Sequence, residues 1–229
     1  MQRLQKIIAN SGYTSRRKAE FLIQEGKVKL NNITAKLGDK ATETDKITIN
    51  DIPLPSKSKN QYFIFNKPKG ILVTKTDPKN RRTIYNLKAL KNLQHLNYVG
   101  RLDAMSEGLL ILTNDGDLIQ KLAHPKHHIT KTYQLRTDPV ITKQHITDLK
   151  EGIPIESRKF YANITNKNNN TFHISIQEGR NRIIRKVLEK LGYKIFELKR
   201  ISISNIKLEN LKPGEIKEIL EKNIKQLIL

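Results

Sequence analysis

The residues best placed to do chemistry lie between Val99 and Gly116, in the run VGRLDAMSEGLLILTNDG. A single carboxylate, Asp103, sits two residues after Arg101 and ahead of a Ser-Glu-Gly segment. An apolar strand over 109–112 follows at once. A carboxylate on the loop that feeds a buried strand can act as nucleophile, general base or metal ligand. Two further stretches carry reactive types. Lys131-Thr132-Tyr133 puts a tyrosine on a predicted strand. The run from Glu178 to Lys186 opens a helix after a glycine turn with Arg180, Arg182 and Arg185. Basic residues at a helix start suit phosphate.

Other chemistries find less support. His124, His127 and His128 cluster without an acidic or thiol partner beside them, so no metal site is expected. Asp115 and Asp117 suit turn and cap roles. A glycosidase-like pair of Asp103 and Glu107 is conceivable, but a basic chain with 6% aromatics offers little surface for stacking sugars. No dinucleotide fingerprint and no phosphate-binding GxxxxGK[ST] loop is present.

Composition narrows the partner. The 229 residues include 43 Lys+Arg and 22 Asp+Glu, a net charge of +21. That excess favours a polyanion, nucleic acid above all. Part of the lysine content follows from a Lys-, Ile- and Asn-rich composition. With Cys 0, disulfides and thiolate metal sites are excluded. No apolar run is long enough to span a bilayer, and the N-terminal residues do not read as a secretory signal. The expectation is a cytoplasmic protein with no membrane role, working as a monomer.

The elements that must position these residues fall into two parts. The first is a small α+β module over 1–54. Leu4, Ile7 and Ile8 share a helical face, which Gly12 ends. Thr14 or Ser15 caps a second helix carrying Ala19, Leu22 and Ile23. The cations Arg16, Arg17 and Lys18 open that helix, where backbone N–H groups already attract anions. Val28 and Leu30, and later Ile47 and Ile49, read as strands around an Asn31-Asn32 turn. Residues 55–61 form a linker marked by prolines and a polar, basic run. The part from 62 to 229 predicts strands at 62–65, 109–112, 131–136 and 172–176 and extended structure at 71–73, with helices at 117–123 and 182–191 and a hairpin loop at 166–170. Many strands, few helices and no β-α repeat predict an α+β fold with a mixed, mainly antiparallel sheet.

The motifs together resemble a known family. Arg3-Leu4, the Ser15 to Ala19 run and the Glu25 to Asn31 run are similar to the small RNA-binding domain first seen in ribosomal protein S-four. The resemblance implies RNA contacts by Arg3, Ser15, Arg16, Arg17, Lys18 and Lys27. Asn66-Lys67-Pro68-Lys69-Gly70, Gly100 to Asp103 with Ser106 to Leu110, Lys131 to Tyr133, and Glu178 to Arg182 with Arg185 resemble, in that order, the RNA pseudouridine synthases. The branch is the one that acts on ribosomal RNA and carries the S-four-like domain. That likeness implies the pseudouridine synthase fold and the isomerisation of a uridine already in RNA, with no cofactor.

It also implies roles. Asp103 is the catalytic carboxylate, Tyr133 lies against the uracil, and Arg185 pairs with Asp103. Arg101 handles the flipped nucleotide. Lys67, Arg81, Arg82, Arg180 and Arg182 contact phosphates. The substrate is structured ribosomal RNA, as a stem-loop or within a ribosome-assembly intermediate, with large-subunit RNA favoured. The alternatives are a small-subunit target and a non-catalytic RNA-binding assembly factor.

Overall fold

The computed structural model describes residues 1–42 and 44–226. It divides into two compact units, Met1–Asn60 with Asn114–Gly116, and Gln61–Thr113 with the chain from Asp117 onward.

In the first unit, helices Leu4–Asn10 and Arg16–Gln24 pack on a four-stranded sheet. Its order is Ile33–Thr34, Val28–Leu30, Ile47–Ile49, Ile52–Pro53. The predicted apolar faces supply the core, with Leu4, Ile8, Ala19, Ile23, Val28, Ile47 and Ile49 all buried. The Asn31-Asn32 turn takes left-handed φ of 51° and 70°, which asparagine tolerates better than most residues. Ser15 is the helix cap, its hydroxyl accepting from the Lys18 N–H at 3.3 Å. That contact gives Ser15 a structural task of its own. Arg3, Arg16, Arg17 and Lys18 are exposed, and Lys27 pairs with Glu25 at 2.8 Å.

The second unit is built on one mixed sheet. Its order is Asn163–Asn168, Thr171–Ile176, Lys131–Asp138, Lys194–Ile203, Glu107–Thr113, Tyr62–Lys67, Ile216–Glu218. Every neighbouring pair is antiparallel except Lys194–Ile203 against Glu107–Thr113. The mixed, mainly antiparallel sheet expected from the sequence is therefore present. Leu109 to Leu112 are fully buried because the strand is covered on both sides. Leu110 and Leu112 join one core, and Leu109 and Ile111 join the other. A continuous apolar run is the pattern of a doubly covered strand.

Several boundaries differ from the sequence reading. Helix Ile183–Lys190 begins after Arg182, which caps it with a left-handed φ of 52°. Arg180 and Arg182 therefore precede the helix rather than open it. Residues 166–168 continue a strand, so the hairpin turn is confined to Asn169 and Asn170. Helix Lys143–Glu151 was not foreseen. It offers only Ile146 and Leu149 to the core, too few apolar positions to show a period.

Candidate active site

The centre of the site is the turn from Asp103 to Ser106, and its backbone is held at four successive carbonyls. The Ser106 N–H donates to the Asp103 carbonyl at 3.0 Å. The Gly70 N–H and the Lys67 ammonium donate to the Ala104 carbonyl, at 2.7 and 3.2 Å. Arg185 Nη2 donates to the Met105 carbonyl at 3.0 Å. Lys67 also donates to the Ser106 carbonyl at 2.8 Å and to that of Pro68 at 3.0 Å. A turn tied this way cannot drift, and reactive groups need that fixity. Gly108 completes it. Its φ is +104°, and a Cβ there would lie 2.3 Å from the Arg200 carbonyl oxygen. Only glycine lets this strand approach its parallel neighbour so closely.

Two expectations are corrected here. Lys67 is fully buried at the end of its strand, with its three ammonium donors given to backbone carbonyls, so it has none left for phosphate. Burial is the main cause that pushes its pKa down to about 8, with Asp103 and Glu107 opposing the shift. Arg185 forms no ion pair with Asp103 within 4.0 Å among the described residues. It is 9% exposed and bonds the turn instead, reaching the Met105 carbonyl and the Ser106 hydroxyl. Its Nε is buried without a partner. Burial lowers its pKa, the Arg182 charge adds to this, and the Asp103 charge opposes it. Asp103 thus acts on Arg185 through space rather than through a bonded pair.

A cavity of about 550 Å³ gathers the rest, within the range of small-ligand sites. Asp103, Tyr133, Arg185 and Arg101 all line it, from three separate stretches of chain. Tyr133 is the third residue of the Lys131–Asp138 strand, paired with Ile174 on one side and Arg200 on the other. It is 8% exposed, and its hydroxyl makes no hydrogen bond among the described residues. The Asp103 carboxylate likewise accepts none among them. Both polar groups are left for a ligand. Ile176, Ile184 and Leu198 add apolar surface on which a flat ring could rest.

Of the predicted phosphate contacts, Arg81 and Arg182 line this cavity. Arg82 is exposed and outside its lining. Arg180 also lines it but is engaged. It donates to Glu178 Oε1 at 2.9 Å and to the Ile155 carbonyl at 3.0 Å. Its expected phosphate contact is therefore corrected to a structural tie between Glu178 and the neighbouring hairpin. Sequence reasoning missed Ser106, which receives Arg185, and Asp77, which binds Arg81. A small hydroxyl and a loop aspartate carry no signal of such partners. Among the described residues, no group of three His, Asp or Glu side chains is placed to hold a metal.

Known proteins match this chain. The family pattern described as RNA pseudouridylate synthase fits residues 61–190, and the S4 domain fits residues 2–47. Ribosomal large subunit pseudouridine synthase B of Bacillus subtilis (strain 168) is 36% identical, covering 99% of this chain and 96% of the relative. The protein of the same name from Buchnera aphidicola subsp. Baizongia pistaciae is 35% identical over 93% and 91%. A crystal structure of a pseudouridylate synthase superposes with a TM-score of 0.72 at 29% identity, covering 99% of this chain and all of the other. On the family pattern and on relatives alike over nearly their whole length, the chain belongs to the RNA pseudouridylate synthase family.

Proposed function

We propose that this protein isomerises one uridine of large-subunit ribosomal RNA to pseudouridine, with Asp103 as the catalytic carboxylate. The observation that carries the reading is the shared cavity of Asp103, Tyr133, Arg185 and Arg101, in a member of this family. The large-subunit target rests on the names borne by the Bacillus and Buchnera relatives.

The reaction breaks the bond from ribose C1′ to uracil N1, turns the base, and joins C1′ to C5. The C5 proton then leaves and the freed N1 takes up a proton, so substrate and product are isomers at the same oxidation level and the reading calls for no cofactor. A stacked base is out of reach, so the uridine must be flipped into the cavity. Asp103 acts at the ribose, as nucleophile or as base. Tyr133 rests against the uracil, with its hydroxyl available for the C5 proton. Arg185 holds the Asp103 turn through Met105 and Ser106. Arg101, exposed beside Asp103, fills the vacated stack or holds the flipped backbone. Arg182 and Arg82 contact phosphates around the opening. The S-four-like part, read as residues 1–54 followed by a linker at 55–61, grips structured RNA through Arg3, Arg16, Arg17, Lys18 and Lys27. A monomer acting in the cytoplasm on a stem-loop or an assembly intermediate completes the reading.

The test is to incubate purified protein with ribosomal RNA and map pseudouridine by carbodiimide block and primer extension. One new stop in large-subunit RNA is expected, lost with Asp103→Asn, whose rate should fall by about 10²-fold or more. A stop in small-subunit RNA would overturn the target. An undiminished stop with Asp103→Asn would overturn the role of the carboxylate.

A further inference from the structure

Residues 71–83 form a closed loop that makes one wall of the cavity. Its ends are tied, with the Leu72 N–H donating to the Arg82 carbonyl at 3.0 Å and the Ile84 N–H to the Leu72 carbonyl at 2.9 Å. Its tip is folded around one carboxylate. Asp77 Oδ2 accepts from the Lys79 N–H at 3.1 Å, the Arg81 N–H at 3.0 Å and Arg81 Nε at 3.1 Å. Asp77 Oδ1 accepts from Arg81 Nη2 at 2.7 Å. These bonds hold the Asp77 carboxyl well below the usual range, at about 2, the Arg81 guanidinium being the largest cause.

A loop knot of this kind can serve folding alone. Its position points further. Leu72, Val73, Thr74, Thr76, Asp77, Pro78 and Arg81 all line the cavity that holds Asp103 and Tyr133. The Asp77 side chain is 7% exposed, whereas that of Arg81 is 59% exposed. The two-point grip engages Nε and one proton of Nη2. Three of the five guanidinium donors remain open, on a group whose rotation is already fixed. The pair is neutral overall, so it offers direction more than charge. A fixed fork of donors at the rim of a nucleotide-sized cavity suits a backbone phosphate.

We propose that Asp77 is a positioning residue for the reaction: by gripping Arg81 it sets the cavity wall and aims the free guanidinium donors at a phosphate beside the flipped uridine. This rests on the reading of the Asp103 cavity as the site of uridine isomerisation.

The test uses the full chain with Asp77→Asn, Arg81→Gln and the double variant. Release of tritium from RNA carrying 5-tritiated uridine gives kcat and KM, and equilibrium binding gives RNA affinity. Each single variant is expected to lower kcat/KM by about 10-fold, and the double by no more than either alone, because both remove one device. RNA affinity of Asp77→Asn should hold or tighten, since a negative charge is removed. Three results would overturn the proposal: wild-type kcat/KM in Asp77→Asn, a double variant whose loss is the product of the singles, or a fall in the RNA affinity of Asp77→Asn that accounts for its whole loss. Should Asp77→Asn not fold, Arg81→Gln decides alone, and wild-type kcat/KM in it overturns the proposal. Wild-type protein that releases no tritium would instead sink the parent reading.

Discussion

At Lys67 three ammonium donors meet three backbone carbonyls, and two of those carbonyls belong to the turn that carries Asp103. The arrangement depends on the third proton. A neutral amine has two donors and a lone pair, so one carbonyl would face electron density instead of hydrogen. Burial lowers this lysine from 10.5 to about 8, a value within reach of ordinary buffers. The sign for stability is opposite to that for activity. Between about 8 and 10.5 the unfolded chain binds the proton and the folded chain does not, so this group's contribution to stability rises with pH. We expect the single-turnover rate to fall along a basic limb centred near 8, while melts over the same range show no matching loss of fold. A rate flat to about pH 9 or beyond would contradict the role assigned to Lys67. Asp103 and Tyr133 stood out in the sequence because their types and flanking motifs are distinctive. Lys67 was misread because Asn-Lys-Pro-Lys-Gly looks like an exposed basic turn, and nothing local reports that the strand before it ends in the core. The Arg185 partner was misread for a related reason. Sequence order cannot show that the Met105 carbonyl stands nearer to the guanidinium than the Asp103 carboxylate does.

The element that carries the site is the strand Glu107–Thr113, and its position is set at Gly108. Here the strand meets Lys194–Ile203 in the sheet's one parallel pairing among the described residues, with Arg200 opposite Gly108. Arg200 Nε also donates to the Leu109 carbonyl at 2.7 Å, fixing the same crossing from the side-chain side. A methyl group at 108 would meet the Arg200 backbone at 2.3 Å, and backbone cannot swing aside as a flexible side chain can. Gly108→Ala should therefore cost on the order of 2 kcal/mol or more in urea unfolding. It should also displace the turn that bears Asp103, so the surviving folded protein should turn over more slowly than wild type. Unchanged stability and unchanged tritium release would show that the crossing is looser than the structure has it. The strand itself was legible, because four consecutive apolar residues, Leu109 to Leu112, read as a strand, although it begins two residues earlier, at Glu107. The parallel pairing was not, because its partner lies some ninety residues away and the two share only two paired positions. Helix Lys143–Glu151 was lost for want of apolar residues, although its Thr142 cap accepts from the His145 N–H at 3.1 Å.

Across the whole molecule, charge and core are divided unequally between two parts. Residues 1–54 carry 10 Lys+Arg and 6 Asp+Glu, a net +4, and the rest of the chain carries +17. Each compact unit has its own buried core, with Leu4, Ile8 and Ile23 in the first and Phe65, Leu110 and Phe172 among those in the second. No residue of the cavity belongs to the first unit. Binding and chemistry should therefore separate on truncation. A chain beginning after residue 54 keeps every group assigned to the reaction and loses Arg3, Arg16, Arg17, Lys18 and Lys27. Its affinity for ribosomal RNA should fall, and the slope of log affinity against log salt should become shallower by about 0.9 for each duplex phosphate contact removed. At saturating RNA its tritium release should approach the rate of the intact chain, because no group assigned to the cavity has been removed. Affinity and salt slope equal to those of the full protein would mean that the +17 of the second part suffices for binding. A truncated protein that folds, saturates with RNA and still fails to react would place part of the chemistry in the first unit.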